Sequence, residues 1–137
     1  MKGLPAKALI TAALAAAGHA LQAGRVLRAL PRIEFDRRRR GTGPLVAEAR
    51  RRGQTQPEQS LAARARLQRV ISWVDARMPG GPNCYRRALL SLALDPDTAA
   101  RPLRFGLHRD GRPGSGHVWI PGRDQPPALR YDVEFEM

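Results

Sequence analysis

The chain has 137 residues, 22 of them arginine against two lysines, and a formal net charge of +12 at neutral pH. That length holds one domain with one core and excludes two ordinary domains. Aromatics make up only 5% of it, so the core must be mostly Ala, Leu and Val, and the charge excess favours anionic partners such as nucleic acid, acidic peptide or a membrane surface. A single cysteine, Cys84, excludes an internal disulfide and fits a reducing, cytoplasmic compartment with the thiol left free.

Residues 5–30 read as a helix through Leu9, Ile10, Leu14, Ala17, Leu21, Val26, Leu27 and Leu30, and Pro31 is expected to end it. Its first part, 1–24, also has the outline of a secretory signal, with Lys2 and Lys7 beside a short apolar run and a Leu21-Gln22-Ala23 site. The run is too short to span a bilayer. Two readings stay open: a docked or interfacial helix, which would associate the protein with a membrane, and a cleaved signal. The domain proper is taken as 25–137. Arg37–Arg40, and Arg50–Arg52 on a short helix over 45–51, read as solvated faces or as an anion-steering patch. Residues 58–78 form the best amphipathic helix, with Leu67, Val70, Ile71, Val74 and Met78 on one stripe. Pro57-Glu58 suits its first turn and Ser60 is an alternative cap.

The Gly80-Gly81 turn then leads through Pro82-Asn83 into a helix that starts at Cys84 and stops at Asp95-Pro96. Beyond Pro96 the apolar period changes from 3.6 to 2. Leu103, Phe105 and Leu107 alternate with polar residues, as do His117–Ile120 and Leu129, Tyr131, Val133 and Phe135. Helices followed by a three-stranded antiparallel meander predict an α+β fold.

A cysteine at a helix start meets unpaired N–H groups and the positive end of the macrodipole, which favour thiolate. Nucleophilic cysteine chemistry further needs an imidazole to carry the proton and an acceptor that fixes the ring. His117 begins one strand and Asp132 lies in the next, so neighbouring strands would set them side by side, with Asp124 as a rival third member. By parity both share the face opposite the apolar filler, and the cysteine helix is expected to pack on that face. The backbone N–H of Cys84 would receive an oxyanion, with Asn83 a candidate second donor. Tyr85 and Trp119 are candidates to line the site, each as readily a packing residue. His19 and His108 read as surface residues. One Cys and three scattered His give no metal-ligand pair, and no phosphate loop is present, so no cofactor is expected.

Cys84-Tyr85-Arg86-Arg87-Ala88-Leu89-Leu90-Ser91-Leu92-Ala93, Leu103–Leu107 and Gly116-His117-Val118-Trp119-Ile120 together resemble the transglutaminase-like superfamily, in particular the bacterial leader peptidase (B, or split B2) of lasso peptide biosynthesis. Leu27–Arg32 is similar to its N-terminal element, so the likeness runs over roughly 25–137. The resemblance implies a papain/transglutaminase-like fold, with N-terminal helices followed by a small antiparallel sheet packed on the cysteine-bearing helix. It implies a Cys84–His117–Asp132 triad, a ribosomally made precursor peptide as substrate, a leader-binding partner protein and an ATP-dependent cyclase partner. Two other readings use the same residues differently: an acyl transferase or amidohydrolase on another peptide, and a basic, non-catalytic domain for nucleic acid or anionic lipid. Few aromatics interleave the arginines, which disfavours specific nucleic-acid recognition.

Overall fold

In the computed structural model, which describes residues 6–110, 116–124 and 131–137, helices precede strands as the change of period predicts. The helices are α1 (Ala6–Arg39), α2 (Thr42–Gln54), α3 (Leu61–Asp75), α4 (Cys84–Leu94) and the single turn α5 (Pro96–Ala99). The strands are β1 (Arg104–Leu107), β2 (His117–Trp119) and β3 (Val133–Glu136). Ser60 is the cap of α3, its side chain accepting from the Ala63 N–H. The Leu129–Arg130 part of the last expected strand lies outside the described residues.

α1 does not stop at Pro31 but runs on to Arg39. A proline inside a helix removes one N–H and frees the carbonyl four residues back. Here Pro31 and Leu27 both lie on the exposed face, where water can take that carbonyl. The buried face meanwhile runs through Val26, Leu30, Ile33 and Asp36, so packing on both sides of the proline holds one helix. None of residues 6–21 is buried, and Leu9, Ile10, Leu14 and Leu21 are each more than half exposed. No helix among the described residues is long and apolar enough to cross a membrane.

α4 is the hub of the core. Eight of its 11 residues are buried, and α1, α2, α3, α5 and β2 all pack on it. α2 approaches so closely that a Cβ on Gly53 would run into the Leu92 carbonyl oxygen.

The sheet order is β2-β1-β3, with both outer strands antiparallel to β1. This corrects the expected meander: the strands of His117 and of Val133–Glu136 are not neighbours. β1 carries the buried Phe105 and Gly106 and takes the centre, while β3, whose residues are all partly open to solvent, takes an edge. Phe105 pairs with both Val118 and Phe135, and Gly106 with both His117 and Glu134. The sheet meets α4 through the apolar side, with Phe105, Val118 and Ile120 joining the core. Hydrophobic burial thus sets the apolar side of the sheet on the core, the opposite of the expected arrangement.

Much of the arginine is internal wiring. Arg25 donates to the Leu94 carbonyl at 2.6 Å, closing the end of α4. Arg50 donates to the carbonyls of Ala99, Arg101 and Met137 at 2.6–2.9 Å. Arg37 pairs with Glu34 and Arg40 with Asp36. Arg51 and Arg52 share Glu48, and hydrogen bonds from Arg51, then Arg52, push its carboxyl down to about 2. The two arginine runs are therefore strips of ion pairs as much as open positive patches.

Candidate active site

The sequence sets Cys84 in place through the turn before it. Gly80 and Gly81 adopt φ of 86° and 78°, a region that glycine enters without strain. Asn83 caps α4, its Oδ1 accepting from the Arg86 N–H at 3.0 Å. Cys84 is then the first helical residue, so its own N–H has no intrahelical acceptor. Beneath this turn lies a buried ion cluster. Arg86, 4% exposed, donates to Asp75 Oδ1 at 2.7 Å and to Glu34 Oε1 at 2.6 Å. Asp75 Oδ2 in turn accepts from the Asn83 N–H at 2.9 Å. One arginine thereby ties α1 and the end of α3 to the start of α4.

Cys84 and His117 line one cavity of about 390 Å³. α3 contributes Gln68, Ile71 and Ser72, α4 adds Arg87 and Ala88, and β2 with its following turn adds Val118, Arg123 and Asp124. The two groups share the cavity without a hydrogen bond between them among the described residues. The His117 ring stacks on Trp119 at 5.8 Å and on Tyr131 at 6.4 Å between centroids. Tyr131 lies flat over Gly106, where a Cβ would collide with its ring. Burial, and then the neighbouring Cys84 and Glu134, push its hydroxyl pKa up.

The other expected residues fall in different places. Asp132 is not in the cavity. It accepts from the Arg109 N–H at 2.8 Å, and its Oδ2 lies 3.7 Å from His108 Nδ1. Asp124 is in the cavity; its Oδ2 accepts from the Ile120 N–H at 2.8 Å, and its Oδ1 takes two bonds from Arg123. Trp119 is buried beneath the imidazole as a packing residue. Tyr85 packs on Phe105 at 5.9 Å, and burial raises its hydroxyl pKa. Asn83 serves as the helix cap.

No family model, curated protein or solved structure matches this chain. The site is therefore read from its own residues. Sequence reasoning missed Tyr131, which was grouped with the apolar filler; Gly106, a glycine inside an alternating strand, was the available signal. It also missed Gln68, Ser72 and Arg123, which carry no pattern that marks a cavity wall. Among the described residues no three His, Cys, Asp or Glu side chains gather to hold a metal.

Proposed function

We propose that this chain is a cysteine peptidase of the transglutaminase-like type that removes the leader from a ribosomally made precursor peptide, as in lasso peptide maturation. The observation that supports it is that Cys84, at the start of the most buried helix, and His117 line the same cavity. In this reading the Cys84 thiolate attacks the carbonyl carbon of the cut bond. The Cys84 N–H receives the developing oxyanion, and His117 takes the thiol proton and returns it to the leaving amine. Water then releases the acyl group from sulfur with His117 as base. Asp124 is the carboxylate that shares the cavity, and we assign it ahead of Asp132 to hold the imidazole. A leader-binding protein would present the precursor, and an ATP-dependent cyclase would use the freed end.

The test is incubation with the precursor encoded beside the gene, with its leader-binding protein present, and mass analysis of the products. A leader fragment that appears with wild type and not with Cys84→Ala is expected. Equal cleavage by both proteins would refute the reading. Addition of an amine acceptor separates hydrolysis from acyl transfer, since a transferase would yield the amine adduct.

A further inference from the structure

The outer face of α1 carries apolar and basic residues along one line. Ile10, Leu14, Ala17 and Leu21 are exposed and follow the i, i+4, i+7, i+11 spacing of a single helix face. About 18 residues make five helical turns, so Arg28, Arg32, Phe35 and Arg39, exposed as well, continue the same line. The buried Val26, Leu30 and Ile33 lie on the opposite side. Ile10, Leu14, Leu21 and Phe35 are each more than half open to solvent. Among the described residues the side chains of Arg28 and Arg32 have no ion pair or hydrogen bond, whereas Arg37 and Arg40 are tied to Glu34 and Asp36. The Arg39 guanidinium lies 4.1 Å from the centroid of the Phe35 ring. Glu34 and Asp36, the only acids of the helix, are turned to Arg86 and into the core, so no carboxylate interrupts the line.

This pattern selects among partners. Nucleic acid would take the arginines and leave Ile10, Leu14 and Leu21 in water. A second copy laid along the whole line would set arginine against arginine, or arginine against leucine. The surface of an anionic bilayer offers hydrocarbon and phosphate side by side in one plane. We propose that the outer face of α1 docks on an anionic lipid bilayer, with Ile10, Leu14 and Leu21 entering the acyl boundary and Arg28, Arg32 and Arg39 meeting lipid phosphates. The helix lies on that surface, since no helix among the described residues is long and apolar enough to cross it. The docking is independent of the peptidase reading, which stands or falls by precursor cleavage without lipid.

The test is co-sedimentation of the full chain with vesicles of equimolar phosphatidylcholine and phosphatidylglycerol, against vesicles of phosphatidylcholine alone. A basic residue near an anionic surface contributes about fivefold in binding, so three arginines should raise affinity for the mixed vesicles by roughly a hundredfold. Arg28→Gln should lower that affinity about fivefold, and Leu14→Gln, which removes apolar insertion but no charge, about tenfold. Arg104→Gln removes the same charge from β1, which does not touch α1 among the described residues, and should leave the affinity nearly unchanged. All three side chains are exposed, so the variants should keep the wild-type urea midpoint closely. Equal binding to the two kinds of vesicle, or none to the mixed kind, overturns the docking. So does an equal loss with Arg104→Gln, because the field of the whole protein would then be drawing the chain to lipid. Wild-type binding by Leu14→Gln overturns it as well, since the apolar line would then lie outside the contact. Duplex DNA bound more tightly than the mixed vesicles, with a loss on Arg28→Gln and none on Leu14→Gln, would give the face to nucleic acid instead.

Discussion

Arg86 decides where Cys84 sits, because its guanidinium is buried between Asp75 and Glu34 and its N–H is held by Asn83. Breaking a buried pair from one side leaves a charge without a partner, at about 3–5 kcal/mol. Asp75→Asn should lose stability on that scale in urea titration, and it also weakens the hold on the Asn83 N–H. Glu34 adds a pH dependence. Burial works upward on its carboxyl, but hydrogen bonds and charges from Arg86 and Arg37 outweigh it and hold the pKa below the ordinary value. A folded-state pKa below the unfolded one gives stability that is present above about pH 4.3 and is lost as pH falls through the folded value. The urea midpoint of wild type should therefore drop below about pH 4.3 more steeply than that of Glu34→Gln. The carboxylates near the imidazole separate in the same manner. Asp132→Asn should keep most of the turnover, since that carboxylate serves Arg109 and His108, whereas Asp124→Asn should lower kcat/KM by at least about tenfold, a loss of about 1.4 kcal/mol. The reverse ranking would return the third place to Asp132.

At the scale of elements, α4 was the most legible part of the chain. Its glycine turn, its Asn83 cap, its apolar run and its Asp95-Pro96 stop are all local signals, and the helix begins at Cys84 as those signals require. Asn83→Ala should cost about 1 kcal/mol, measured as a lower urea midpoint. The change of period to strands was also legible, but the order of the strands was not. Pairing depends on which strand carries the buried pair Phe105–Gly106, and alternation alone gives each strand two usable faces. Pro31 misled for a related reason, since whether its freed carbonyl meets water depends on which face of α1 the rest of the fold covers. The Arg86 cluster joins residues 52 and 11 positions apart, and no local pattern records such a contact. Gly106 gives the sheet a direct test. A methyl there would push the Tyr131 ring off the strand and disturb the stack against His117. Gly106→Ala should cost about 1–3 kcal/mol and slow turnover at a pH and temperature where the variant remains folded.

Over the whole molecule, charge and apolar surface are distributed unevenly along α1. From Gln22 onward the helix is part of the core: Val26 is fully buried, and Arg25 reaches Gln22, Gln56, Gln59 and the Leu94 carbonyl. Before Gln22 the same helix buries nothing, yet it exposes Leu9, Ile10 and Leu14 at 56–68%. Clustered apolar exposure of this kind promotes association with other surfaces, and a segment with no buried residue contributes little to folding. Two truncations separate these roles. Removal of residues 1–16 should leave the urea midpoint almost unchanged, within about 0.5 kcal/mol, while lowering self-association in sedimentation. Removal of residues 1–28 takes away Val26 and the Arg25 hydrogen bonds at the end of α4, and should destabilise the chain by about 3 kcal/mol or more. If the shorter cut already lowered the midpoint as far as the longer one, the exposed start of α1 would have to be supporting the core although none of its residues is buried.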